Sequence, residues 1–110
     1  MAFGLNIFRT VTADLTTDSD VVYTAPTGYS AIVLMAQISN ITANAEVVTM
    51  SVLATDSTET ELIKDFEIPG NDAASAVTGK LVLETGYSVV AEAGSNGTLK
   101  LVLSILESKN

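Results

Sequence analysis

The chain of 110 residues contains no cysteine, no histidine and no tryptophan. Without cysteine there are no disulfides, thiolate metal sites or thiol nucleophiles, and without histidine the commonest general base and zinc ligand is gone. A domain of this size must then be held by its core alone, whereas small secreted scaffolds usually carry disulfide staples. Basic residues are also scarce, at 5 against 13 acidic ones, a net charge of −8. Arg9, Lys64, Lys80, Lys100 and Lys109 are scattered. Nucleic-acid binding and attraction to anionic membranes both rest on clustered Lys and Arg, so neither is expected. The longest apolar run, Ala31 to Ala36, is far short of the about 20 residues that cross a bilayer as a helix. The N-terminus lacks the basic-then-apolar pattern of a secretion signal, so synthesis and folding in a cytoplasm are expected. Charged residues are only 16 %, against charge-driven disorder.

What is abundant is β-branched. Thr, Val and Ile total 33 residues, 30 % of the chain. Such side chains lose freedom in helices and fit a pleated sheet. Turn signals recur at short intervals. Ala25-Pro26-Thr27-Gly28 fits a type I turn, and Ile68-Pro69-Gly70-Asn71 a type II turn with Gly70 at positive φ. Glu84-Thr85-Gly86-Tyr87 and Ser95-Asn96-Gly97-Thr98 join alternating segments, and Asn-Gly is a strong hairpin signal. Strands are predicted at 5–12, 20–24, 29–41, 46–55, 60–68, 79–84, 87–93 and 98–107, with a loop or short helix at 71–77. In the last strand Leu99, Leu101, Leu103 and Ile105 face the core, while Lys100, Val102, Ser104 and Leu106 face away. In the third, Ile32, Leu34, Ala36 and Ile38 share one face, opposite Ala31, Val33 and Met35.

The expected fold is all-β: a single-domain antiparallel two-sheet sandwich of jelly-roll or Greek-key type with about eight strands. An open barrel of five or six strands is the alternative. Residues 1–19 are read as an N-terminal strand or docking arm, and residues 20–110 as the sandwich.

Two acidic groups are the candidates for chemistry: Asp14, Asp18 and Asp20, and Asp56, Glu59 and Glu61. Paired carboxylates can hydrolyse glycosides, but such sites sit in aromatic clefts, and this chain has only three Tyr besides its three Phe. Neither group has the Gly and closing Glu of a calcium-binding EF-hand loop. Acidic residues between strands are ordinary turn formers. No catalytic residue, metal ligand or cofactor site is therefore assigned, and the chain is read as non-enzymatic. Asn40-Ile41-Thr42 and Asn96-Gly97-Thr98 match the short glycosylation pattern, which carries little weight without a secretion signal. What remains is surface. Val102 and Leu106 on the last strand, with Phe3, Ile7 and Phe8 at the N-terminus, are the candidate subunit interface, because exposed apolar patches mark contacts.

The order of motifs is similar to that of small structural proteins of tailed bacteriophage virions. Val22-Tyr23-Thr24-Ala25-Pro26-Thr27-Gly28-Tyr29 resembles their strand, Ala-Pro-x-Gly turn and long strand, and Asn40 follows that strand as it often does in them. Leu62 to Pro69 resembles their aliphatic strand ending in Ile-Pro, and Gly79 to Ser88 their Lys-Leu-Val-Leu-Glu hairpin. The finish, Leu101 to Glu107, resembles a common last strand. The resemblance spans about residues 20–108. It implies a virion protein made in the host cytoplasm, with the major capsid protein or other virion proteins as partners and a homo-oligomer or multi-copy assembly as its state. Its leading reading is a capsid decoration (cement) protein that bridges capsid subunits. A tail, neck or baseplate protein is the alternative, and a carbohydrate-binding module is the reading from a different class.

Overall fold

The computed structural model describes residues 6–110. Nine strands follow in order: β1 (Asn6–Asp14), β2 (Asp20–Thr24), β3 (Tyr29–Asn40), β4 (Glu46–Leu53), β5 (Glu59–Ile68), β6 (Ala73–Ser75), β7 (Leu81–Leu83), β8 (Ser88–Ala93) and β9 (Leu99–Lys109). One sheet runs β1-β9-β3-β6, with β7 also paired to β3, and the other runs β2-β8-β4-β5. Every pairing is antiparallel. β6 and β7 lie along different stretches of the same edge of β3, against Gln37–Ser39 and Ala31–Val33. Taken together they are one interrupted edge strand. The first half of the chain then pairs with the second half in reverse order: β1 with β9, β2 with β8, β3 with β6 and β7, β4 with β5. That wrapped hairpin is the jelly-roll arrangement.

The core follows from alternation. Leu99, Leu101, Leu103 and Ile105 of β9 are buried, and from the opposite sheet come Val48, Met50, Val89 and Ala91. Fully burying such a side chain is worth about 1.5–3 kcal/mol. In β3 alternation breaks at a bulge between Val33 and Met35. The extra residue turns Ala31 and Val33 inward together with Ala36 and Ile38, and leaves Leu34 exposed. The strict period-two reading of this strand is therefore corrected: Ala31 and Val33 are core, and Ile32 faces outward.

Three local expectations also change. The 71–77 stretch, expected as a loop or short helix, contains a strand, because Ala73–Ser75 completes the free edge of β3. Its Ala-rich composition favours a helix locally, but open ladder positions on β3 override it. The turn after β2 closes one residue later than predicted, with the Tyr29 amide donating to the Pro26 carbonyl at 3.0 Å and Gly28 at φ +84°. At Gly70 the requirement is space and not positive φ. A Cβ there would overlap the Ala43 carbonyl oxygen, while the positive φ (57°) falls on Asn71.

The close approach at Gly70 is fixed by Asn40, which is buried. Its amide donates to the carbonyls of Asn44 (2.7 Å), Ile68 (3.0 Å) and Pro69 (3.3 Å), and its carbonyl accepts from Thr42. A side chain so enclosed is no glycosylation acceptor. It ties the loop after β3 to the end of β5.

Candidate interaction surface

The outer face of the β1-β9-β3 sheet carries a row of apolar side chains. In register, Phe8 of β1 stands opposite Leu106 of β9, Leu106 opposite Ile32 of β3, and Ile32 opposite Val82 of β7. Phe8 is 75 % and Val82 63 % exposed, while Leu106 and Ile32 between them are half-buried. Leu34, pushed out by the bulge, sits beside the row. An open depression of about 280 Å³ lies here, lined by Phe8, Arg9, Thr10, Leu34, Ser104 and Ile105. Two more, of about 240 and 170 Å³, lie by Met35 and Gln37 and by Thr49 and Asp65. Each is below the about 300–1,000 Å³ of a small-molecule pocket.

The other outer face differs. Across its middle, Val21 of β2 stands opposite Val90, Val90 opposite Ser51, and Ser51 opposite Glu61. Of these only Val21 is an exposed large apolar side chain, and the row ends in a carboxylate.

The sequence-predicted interface residues separate on this frame. Phe8 and Leu106 are neighbours in the apolar row. Val102 also points outward, but its partners across the ladder are Thr12 and Gln37, so it stands alone among polar groups. Ile7 lies on the opposite face of β1 from Phe8, in register with buried Glu107, so the two cannot serve one flat contact. Phe3 lies outside the described residues. Of the two readings for the first residues, Asn6–Asp14 forms a strand paired along its whole length with β9. Ile32 and Val82 were missed, the first because of the bulge and the second because a three-residue strand is too short to show a period.

Beneath the same edge lies a buried carboxylate. Glu107 of β9 is 2 % exposed. Its Oε1 accepts from Arg9 Nε of β1 at 2.8 Å and its Oε2 from the Tyr23 hydroxyl of β2 at 2.6 Å. Tyr23 reaches it because β2 bulges between Val21 and Tyr23. The extra residue sends Val21 outward and Tyr23 inward. Burial would raise the Glu107 pKa, but the hydrogen bonds from Tyr23 and Arg9, with the guanidinium charge, hold it below the usual carboxylate range. Burial and the bond to Glu107 push the Tyr23 phenol up. The triad joins both sheets. Glu107 and Tyr23 line none of the three depressions, so the group reads as a clamp. The period of β9 extended by one step places residue 107 on the core side, and that was the available signal.

The acidic groups of the sequence stay apart. Asp14 pairs with Lys100 at 2.9 Å across β1 and β9. Asp20 accepts from Thr16 Oγ1 at 2.7 Å, and Asp56 accepts from the Thr58 amide at 3.0 Å. The Thr58 bonds hold the Asp56 carboxyl below its usual range. Among the described residues no three acidic side chains gather closely enough to hold a metal ion.

No protein-family model matches the chain, and no curated protein matches it by sequence. Among solved structures it is similar to one described under "Bacillus endospore appendages form a novel family of disulfide-linked pili". The likeness has a TM-score of 0.57 at 10 % identity and covers 96 % of this chain and 88 % of that one. It is a likeness of fold. The disulfide links named for that protein have no counterpart here, because this chain has no cysteine.

Proposed function

We propose that this chain is a non-enzymatic structural subunit that docks into a multi-copy assembly through the outer face of the β1-β9-β3 sheet. The observation that carries the reading is the Phe8–Leu106–Ile32–Val82 row, apolar across four strands on an otherwise strongly acidic protein. Exposed apolar patches with polar rims are the usual form of a protein contact. The motif order of the sequence supports a tailed-phage virion as the assembly, with capsid decoration as the specific role. There it would add buried area between neighbouring capsid subunits.

Quantitative gel densitometry of purified particles tests this. A copy number comparable to that of the major capsid protein fits decoration. A small fixed fraction of it moves the chain to the tail, neck or baseplate, and absence from every particle overturns the virion reading. A fibre subunit is the second reading, favoured by the likeness to a pilus protein. Unaided polymerisation of the purified chain into filaments would decide for it.

A further inference from the structure

An open sandwich must protect the edges of its sheets, whose unpaired amides and carbonyls invite another strand. Three edges here are blunted. β6 and β7 have three residues each. β2 has five and a bulge. β5 is long, but its register with β4 shifts twice, Asp65 is left-handed at φ 47°, and it carries Glu59, Glu61, Asp65 and Glu67. β1 is neither short nor bulged, and it carries no run of like charge. It keeps one unbroken register with β9 from Asn6 to Asp14, and its only charged residues are Arg9 and Asp14.

Charge is distributed the same way. Arg9, Lys100 and Lys109, three of the five basic residues, lie on β1 and β9, with only Asp14 and Glu107 of the 13 acidic ones. β1 and β9 together carry +1 and the rest of the molecule −9, so two copies can meet at this edge without strong repulsion.

The free backbone groups follow from the ladder. The Leu15 amide donates to the Leu99 carbonyl. By alternation the odd-numbered residues of β1 point toward β9, and Phe8, Thr10 and Thr12 present their amides and carbonyls on the other side, where no strand pairs with β1 among the described residues. The strand is also self-complementary. Antiparallel pairing about a twofold axis at its midpoint, Thr10, sets Thr10 against Thr10 of the second copy. The same register sets Phe8 against Thr12, Arg9 against Val11, Ile7 against Ala13 and Asn6 against Asp14. No like charges stand opposite, and all nine residues are used.

We propose that two copies of this chain pair through their β1 edges in this register, so that their β1-β9-β3 sheets join into one continuous sheet with both apolar rows on the same side. The contact is closed and twofold, and it stands independently of which particle the chain serves.

The test uses the full chain, whose lack of cysteine makes a single introduced thiol unambiguous. Sedimentation of the unmodified protein shows a dimer that does not grow further. Thr10→Cys gives a covalent dimer on mild oxidation, because facing residues of such a pair have Cα atoms about 5.5 Å apart, within disulfide range. Glu61→Cys on β5 does not. Thr10→Lys leaves the circular dichroism intact and weakens the dimer by about tenfold or more, since like charges directly opposite destabilise a strand pair. A monomer at every concentration overturns the proposal. So does open-ended growth, cross-linking through residue 61, or a dimer that Thr10→Cys does not lock. Any of these leaves the copy number in a particle, and so the functional reading, untouched.

Discussion

β1 and β5 are both outermost strands, with nine and ten residues, yet they are built by different rules. β5 is acidic, twice shifted in register and bent by a left-handed aspartate. β1 is straight in register and carries one charge of each sign, Arg9 and Asp14. Each is also clamped to the body differently. The far end of β5 is held by the neutral amide of Asn40, and the near end of β1 by the ionised Glu107 with Arg9 and Tyr23. One edge is thus finished for water and the other is left able to pair. Foldability does not require that asymmetry, since β1 could carry a bulge or a lysine at no cost to the core. The asymmetry therefore points to use.

The two clamps can be broken separately. Asn40→Ala should have the largest effect, roughly 3 kcal/mol or more in urea unfolding. It orphans the buried Ile68 carbonyl, worth about 1–3 kcal/mol, removes the bonds to the part-buried carbonyls of Asn44 and Pro69, and frees the loop packed against Gly70. Glu107→Ala should cost about 1–3 kcal/mol, chiefly through the stranded Tyr23 hydroxyl. Arg9 is half exposed and contributes little by itself.

Only the β1 clamp titrates in acid. Because the folded pKa of Glu107 is depressed, its contribution is fully present above its unfolded value, close to 4.5, and is lost as pH falls through the folded pKa. Between about pH 5 and 3 the parent chain should lose more stability than Glu107→Ala, in thermal melts followed by circular dichroism. Equal losses would mean that the carboxylate contributes nothing. The smallest effects belong to the open edges: Thr10→Lys and Glu61→Lys should each change monomer stability by no more than about 0.5 kcal/mol.

Most of the fold was legible because β-branched composition, turn residues and clean alternation agreed. β9 shows this best, its buried set being the period-two set with Glu107 added. Legibility failed where one inserted residue changed the phase. In β3 the bulge reversed the inner and outer residues that precede it, and in β2 it puts Val21 and Tyr23 on opposite faces where alternation would put them on one. Neither bulge has a composition of its own, since its position is set by how the two sheets meet. β6 was hidden because its pairing depends on β3 and not on its own Ala and Ser residues. Within the candidate surface, Phe8 and Leu106 were readable as outward apolar positions. That they form a row with Ile32 and Val82 depends on register across four strands, which no single strand encodes.

Hydrogen exchange at the two edges, followed as protein concentration is raised, tests the central contrast most directly. In dilute solution the outward amides of β1 and β5 should both exchange quickly, as unpaired edge groups do. On concentration the amides of Phe8, Thr10 and Thr12 should become protected while those of β5 stay unchanged. Protection that arises on β5 instead, or on neither edge, would contradict the account.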